Sequence, residues 1–256
     1  MKPVLDKVSL ISAEKVLDLK EKLFGKLCNN KCNGEGYYIE NGEIIDCACS
    51  KEFQWQVKLV KANIPEKYWD FSFRNLLKKF LEENAIALDI VKKYCDSIEE
   101  TVKEGLGLFI QGQSGLAKSA LSAYILKEAI KKDIQCYSVR MSHLTKLIIE
   151  SFKDPEKAKL VSWLRDDVQL LLIDEIEKDF KLGEYTSFTG THVGEFFDDI
   201  YNKKKALLVT SNLTKAKLKG IQAENVIDRL EELGDIILVG ESYRRQSDTL
   251  RRIMEL

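Results

Sequence analysis

The segment Gly112–Ser119 combines the residue types that bind phosphate groups. It reads GQSGLAKS and lies between an apolar run and a helical pattern. Small residues let backbone N–H groups approach phosphate oxygens, the lysine adds a positive charge, and the serine hydroxyl is a ligand for Mg²⁺. The alternative is a strand-to-helix turn that binds nothing. The predicted phosphate-binding residues are Gly112, Gln113, Ser114, Gly115, Leu116, Ala117, Lys118 and Ser119.

One position of this segment departs from the usual pattern. Phosphate loops commonly have glycine directly before the lysine, whereas this chain has Ala117. Alanine is the least disruptive replacement, but its Cβ restricts the backbone. We therefore expect nucleotide binding to survive and hydrolysis to be the more sensitive property.

Polar residues follow two other apolar runs of the chain. Asp174 and Glu175 end the run that begins at Leu170, and Asn212 follows the run 206–210. Adjacent carboxylates at the end of a buried strand are costly unless a cation or a hydrogen-bonding site uses them. We predict that Asp174 holds Mg²⁺, that Glu175 is a general base, and that Asn212 orients the attacking water. The alternatives are a charged loop and an ordinary turn.

Strand and helix patterns alternate from Leu106 onward, which predicts an α/β fold with a parallel sheet flanked by helices. We predict two domains, an N-terminal helical and zinc-binding module over 1–64 and a nucleotide-binding domain over 65–256. The predicted strands are 106–111, 135–139, 168–173, 206–210 and 235–239. The predicted helices include 50–63, 73–80, 85–102, 118–132, 142–152, 158–164, 193–202 and 225–233.

Four of the six cysteines fall in one short stretch. Three residues separate Cys28 from Cys32, one separates Cys47 from Cys49, and a glycine-containing hairpin of fourteen residues joins the pairs. In a reducing cytosol this clustering favours a metal over disulfides. Four thiolates at such spacing can surround a tetrahedral Zn²⁺, and so short a segment needs a stabilising metal. The alternative is a set of buried thiols without a ligand.

The composition limits the classes of partner. The formal net charge is −1, so the chain as a whole is not a basic nucleic-acid binder. It has no run of eighteen apolar residues, and Met1–Leu10 lacks the pattern of a signal peptide. We therefore expect a cytoplasmic protein without membrane contact.

Together, these motifs resemble those of AAA+ ATPases, and more narrowly the DnaC/DnaI/IstB group of helicase loaders and transposition ATPases. The resemblance covers Ile64 to the C-terminus and includes the segment IPEKYW at 64–69. It implies that Asn212 is the sensor 1 residue and that Arg229 is the arginine finger for a neighbouring subunit's nucleotide. It also implies that Arg244 is the sensor 2 residue and that the C-terminal lid is reduced or absent. For Arg229 the alternative is a helix-surface charge paired with a nearby acid.

The resemblance also implies a function. It indicates an ATP-dependent DNA replication protein that binds a DnaB-type replicative helicase, places it on single-stranded DNA, and acts as a homo-oligomer in the ATP state. The expected cofactors are ATP, Mg²⁺ and Zn²⁺. One alternative is an IstB-like transposition ATPase. The other is an adaptor that ATP switches with little hydrolysis, which Ala117 motivates.

The N-terminal module offers two candidate binding surfaces. An amphipathic helix predicted over 8–24 can bind a partner protein. Aromatic and basic residues near the cysteines can stack on or attract single-stranded DNA, or they can fill the module's own small core. These residues are Tyr37, Tyr38, Lys26 and Lys31.

Overall fold

A β-hairpin and a helix form the described part of the N-terminal unit. Strands β1 (Tyr37–Glu40) and β2 (Glu43–Asp46) pair antiparallel. The two residues between them, Asn41 and Gly42, both have positive φ, as two-residue hairpin turns require. Helix α1 (Ala48–Lys61) follows directly. The hairpin and this helix agree with the prediction from sequence.

The structure is a computed structural model of the chain, and it describes residues 18–19, 21, 31–33, 35–179, 187–219 and 224–242. Its contacts divide the chain into two units, Met1–Pro65 and Glu66–Leu256. Most of the helix predicted over 8–24 lies outside the described residues, as do Lys26, Cys28 and Arg244. None of the helices in the described part has the length and apolarity that a membrane span requires.

Five parallel strands form the sheet of the second unit, in the order β4-β5-β6-β3-β7. The strands are β3 (Leu108–Gln111), β4 (Cys136–Arg140), β5 (Leu170–Asp174), β6 (Ala206–Ser211) and β7 (Gly234–Ile237). The helices are α2 (Lys78–Glu83), α3 (Ala85–Asp96), α4 (Ile98–Lys103), α5 (Lys118–Lys131), α6 (Met141–Ser151), α7 (Pro155–Asp166), α8 (Ser187–Asn202), α9 (Lys215–Leu218) and α10 (Glu224–Glu231). The predicted α/β fold with a parallel sheet flanked by helices is confirmed.

The central strands are buried because helices cover both faces of the sheet. On one face, alternate residues of β4, β5 and β6 pack in a single apolar cluster with α6, α7, α8 and α10. On the other face, α5 packs against the same three strands. Helix α5 begins at Lys118, so the packing of its buried side fixes the phosphate segment against the sheet.

Two predicted helices differ from the observed elements. The helix predicted over 73–80 is a short 3-10 turn, Phe73–Asn75, followed by α2, because Ser72 and Asn75 bond to each other across the turn. The helix predicted over 85–102 is divided between α3 and α4 at Ser97. The Ser97 hydroxyl donates to the carbonyl of Lys93 at 2.9 Å, a local bond that competes with continuous helix.

Candidate nucleotide-binding site

Three neighbouring strands bring the predicted site residues to one edge of the sheet. Strand β6 lies between β3 and β5, and all three run parallel, so their carboxyl ends meet at the same edge. The phosphate segment follows β3, Asp174 ends β5, and Asn212 follows β6. In open α/β sheets, ligands bind outside the carboxyl ends of the strands.

The phosphate segment passes close to the chain that follows β7. A Cβ on Gly112 would lie 2.7 Å from the carbonyl oxygen of Leu238, so a side chain there requires the backbone to move. At Gly115, where φ is +91°, a Cβ would lie 1.9 Å from the hydroxyl oxygen of Ser242. Glycine is therefore required at both positions by close approach, and at Gly115 by backbone conformation as well.

Ala117 has the left-handed conformation that glycine usually supplies. Its φ is 55° and its ψ is 16°, directly before the first residue of α5. An L-residue in this region brings its Cβ close to the following carbonyl oxygen, which strains the backbone. The restriction predicted at this position is therefore seen as a positive φ at Ala117.

Lys118 is buried and holds the two sides of the site together. Its Nζ donates to the carbonyl oxygens of Gly112 at 2.7 Å and Gln113 at 2.9 Å. It also donates to Oδ1 of Asn212 at 2.8 Å. A buried ammonium requires such partners, and here they come from the phosphate segment and from the end of β6.

Two hydroxyls surround the carboxylate of Asp174. The Ser119 hydroxyl lies 2.9 Å and 3.1 Å from the two carboxylate oxygens. The Thr210 hydroxyl donates to Oδ1 at 2.5 Å and accepts from the backbone N–H of Glu175 at 2.9 Å. Hydroxyl and carboxylate oxygens are the ligands that Mg²⁺ prefers, so the donor set at Ser119 and Asp174 fits this ion. The role of Thr210 was not predicted, because a buried strand residue has no motif to mark it.

Three acidic residues lie at this edge rather than the two that were predicted. Glu175 has a φ of 57° and pairs with Lys178 at 2.8 Å. Glu177 accepts hydrogen bonds from the Ser211 hydroxyl at 3.0 Å and from the side-chain amide of Asn212. The Asn212 amide thus has its oxygen toward Lys118 and its nitrogen toward Glu177. Glu177 is two residues beyond the predicted pair, and only its acidity in a short turn could have signalled it.

Most of these residues line a cavity of about 240 Å³. Its polar side includes Lys118, Ser119, Glu175, Glu177 and Asn212. Its other side comes from the segment that precedes the sheet and carries aromatic and amide groups. These residues are Tyr68, Phe71, Asn75 and Leu76. The segment 64–69 was part of the family resemblance, but it was not predicted to belong to the site.

Arg229 lies away from the residues that line this cavity. In α10, its Nε donates to Asp198 of α8 at 3.0 Å, and its guanidinium lies 4.1 Å from the centre of the Tyr201 ring. The hydrogen bond to Asp198 raises the pKa of the Arg229 guanidinium above its usual value. The site therefore combines the predicted Lys118, Ser119, Asp174, Glu175 and Asn212, while Arg229 faces a different part of the unit.

The described cysteines of the N-terminal unit converge. The Sγ atoms of Cys32, Cys47 and Cys49 all lie within 4.8 Å of one another, and all three residues are buried. Sulfur atoms of a tetrahedral zinc site lie roughly 3.8 Å apart, given Zn–S bonds of about 2.3 Å, so this donor set fits the ion. Tyr38 packs against the cluster, and Lys31 lies 4.2 Å from the centre of its ring. Tyr38 is therefore partly buried against the cysteine cluster, whereas Tyr37 is exposed.

No protein-family model and no curated protein sequence match the chain. Solved structures do. The crystal structure of the DnaC helicase loader is 20% identical, covers 68% of this chain and 100% of its own, and gives a TM-score of 0.57. The crystal structure of DnaI is 16% identical, with 70% and 93% covered and a TM-score of 0.56.

The replication initiator DnaA, bound to AMPPCP and single-stranded DNA, is 21% identical and gives a TM-score of 0.56. The match covers 70% of this chain and 51% of the DnaA chain, so this chain spans about half of that protein. At these identities the comparisons establish the fold. The chain therefore shares the α/β fold of these solved structures, with its five-stranded parallel sheet flanked by helices.

Proposed function

We propose that this chain is an ATP-dependent helicase loader, which binds a DnaB-type replicative helicase and places it on single-stranded DNA. The observation that carries the proposal is the cavity at the sheet edge, where Lys118, Ser119, Asp174 and Asn212 converge. The fold likeness to the DnaC helicase loader, over the whole length of that structure, supports the choice of partner.

In this proposal the site binds ATP with Mg²⁺. Ser119 and Asp174 would hold the ion, which supplies positive charge to the phosphates when it is bound. Lys118 has hydrogen-bond partners on the loop and on Asn212, and it would exchange some of them for the β- and γ-phosphates. The backbone N–H groups of Gly112–Ser119 and the first turn of α5 bind the phosphate oxygens.

Hydrolysis then requires one water molecule and one base. Glu175 would take the proton as the water oxygen bonds to the γ-phosphorus and the bond to the ADP oxygen breaks, leaving ADP and inorganic phosphate. Asn212 would orient the water. In the structure Glu175 pairs with Lys178 and Asn212 bonds to Glu177, so both side chains must change partners before they act on water.

The remaining predicted residues extend this proposal beyond one subunit. Arg229 would complete the site of a neighbouring subunit in a homo-oligomer, because a guanidinium presents a rigid fork of donors to phosphate oxygens. Arg244 would contact the nucleotide in its own subunit, and it lies outside the described residues. The 1–64 module, with Zn²⁺ held by Cys28, Cys32, Cys47 and Cys49, would bind the helicase or the DNA.

The test measures nucleotide binding and helicase loading with matched variants. Lys118→Ala should weaken ATP binding by about 100-fold, because it removes charged hydrogen bonds to phosphate. Loading is measured as the ATP-dependent unwinding of forked DNA by the helicase. The single-stranded arm of the DNA is coated beforehand with a single-strand-binding protein. Lys131→Ala is the control, since Lys131 is an exposed lysine of the same helix. Equal unwinding with wild type, with Lys118→Ala and without this chain would contradict the proposal.

Affinity purification separates this function from its alternatives. Recovery of a ring helicase supports the loader, whereas recovery of a transposase supports the IstB-like ATPase. The strained Ala117 favours one further candidate, an adaptor that binds ATP and hydrolyses it slowly. An adaptor of this kind should bind the helicase only when ATP is present, and it should remain bound even when the ATP is not hydrolysed.

A further inference from the structure

Lys127 is a buried cation that the proposed chemistry does not use. It lies in α5, nine residues after Lys118, and it is 6% exposed. Its Nζ donates to the carbonyl oxygen of Trp69 at 2.7 Å and to that of Phe71 at 2.6 Å. Burial lowers the pKa of the ammonium. A lysine that is kept buried with two backbone acceptors fixes the segment that supplies them.

That segment forms the second wall of the cavity. Tyr68 and Phe71 line the space, and they flank or carry the two carbonyls that Lys127 holds. Residues of the phosphate segment line the same cavity. A nucleoside triphosphate bound there with its phosphates at Lys118 would therefore have Tyr68 and Phe71 available for its base and ribose. Aromatic side chains provide the flat apolar surface on which a base stacks.

One face of α5 organises this wall. Ala120, Tyr124 and Lys127 are spaced three and four residues apart, so they lie on the same side of the helix. Ala120 lines the cavity, and the Tyr124 ring meets the Phe73 ring edge-on at 4.7 Å. The same helix therefore begins at the phosphate segment and, through Lys127, holds the segment that carries Tyr68 and Phe71.

We propose that Lys127 is a positioning residue for the base end of the nucleotide, which it sets by fixing the backbone of residues 69–71. This inference rests on the proposed nucleotide binding and adds to it the group that recognises the nucleoside. Because the two carbonyls that Lys127 binds belong to the segment that carries Tyr68 and Phe71, and not to the phosphate segment, it should contribute to the binding of ATP and not to the binding of phosphate groups without a nucleoside.

The test compares ATP with inorganic triphosphate by isothermal titration calorimetry. Lys127→Met should weaken ATP binding by about tenfold, because both charged hydrogen bonds are lost and the wall is no longer fixed. Binding of inorganic triphosphate should stay within about twofold of wild type. In turnover, KM for ATP should rise while kcat stays unchanged, as expected for an interaction made equally in the ground and transition states. A general loss of structure would weaken both ligands together.

Lys131→Met, one turn further along α5, is the matched control and should leave both affinities unchanged. If Lys127→Met does not fold, Lys127→Gln is measured in its place, and it should show the same selective loss with a smaller size. Equal losses for the two ligands, or no loss for either, would overturn the inference. A wild-type chain that binds neither ligand would instead overturn the proposed function, and this inference with it.

Discussion

Ala117 shows how one residue can separate nucleotide binding from turnover. It has a positive φ at the junction of the phosphate segment and α5. Glycine reaches this conformation without steric cost, whereas alanine is strained there by about 1 kcal/mol. A strained junction biases the loop toward alternative conformations, and the catalytic geometry tolerates such shifts less well than binding does.

Ala117→Gly should therefore raise ATP turnover. The free energy of unfolding should change by less than about 1 kcal/mol, because relief of strain is opposed by the greater freedom of glycine in the unfolded chain. Steady-state phosphate release and chemical denaturation measure the two quantities. Ala123→Gly is the matched control, since Ala123 lies inside α5. In this variant the free energy of unfolding should fall by about 1 kcal/mol, and ATP turnover should not rise. Unchanged turnover in Ala117→Gly would show that the alanine is harmless.

The site residues differ in how far the sequence could predict them. Lys118, Ser119, Asp174 and Asn212 were predicted, because spacing in the chain and position at strand ends both mark them. Glu177 and its bonds to Ser211 and Asn212 were not, because a side chain in a short turn can point in several directions. Its bonds depend on how β5 and β6 are aligned in the sheet, which spacing along the chain does not reveal.

At the scale of elements, Asn84 illustrates a contact that no local pattern shows. This buried residue lies between α2 and α3, and its side-chain amide bonds to both the N–H and the carbonyl of Val239. The partners are 155 residues apart in the chain. They fix the segment after β7 that leads to Ser242, beside Gly115. Helix and strand periods predicted α3 and β7 separately, but not this connection between them.

The hairpin and α1 of the N-terminal unit should depend on zinc. Among the described residues, Tyr38 is the one apolar side chain outside the cluster that packs against the cysteines, and a segment this small gains much of its folding energy from a bound metal. Cys49→Ser should therefore lose the ion and make residues 1–64 susceptible to limited proteolysis. Metal content by mass spectrometry should fall from about one zinc per chain to near zero.

Cys95→Ser provides the matched control for this experiment. Cys95 lies in α3, outside the cluster, and burial raises the pKa of its thiol to about 12. A thiol with such a pKa stays protonated and does not bind metal, so this variant should retain full zinc content. Purified wild-type protein without zinc, or Cys49→Ser with as much zinc as wild type, would contradict the metal assignment.

At the scale of the whole molecule, alternation of strands and helices predicted the class of fold but not the order of its strands. The observed order places β3 between β6 and β7, far from its nearest sequence neighbour β4. Crossovers of this kind depend on packing between the faces of the sheet. The order matters for function, since it puts Asn212 between the phosphate segment and Asp174.

Arg229 is the residue on which the proposed contact between subunits can be tested. In the structure it bonds to Asp198 and lies over Tyr201, so its guanidinium is held on the surface of α8 and α10. Arg165 is similar in setting, because it bonds to the adjacent Asp199 of α8 at 3.1 Å. If only Arg229 reaches a neighbouring nucleotide, removal of the two arginines should have different effects on turnover and similar small effects on stability.

Arg229→Ala should lower ATP turnover by at least about 100-fold, as expected when a guanidinium that stabilises the transferred phosphoryl group is removed, while Arg165→Ala should retain activity.

A mixing experiment then tests whether Arg229 acts between subunits. Lys118→Ala subunits bind ATP about 100-fold more weakly but keep Arg229, and Arg229→Ala subunits bind ATP but lack the arginine. In a head-to-tail assembly, an equal mixture creates complete sites at roughly a quarter of its interfaces. Turnover of the mixture should therefore clearly exceed that of either variant alone. A mixture no more active than its components would show that Arg229 serves its own subunit, through Asp198 and Tyr201.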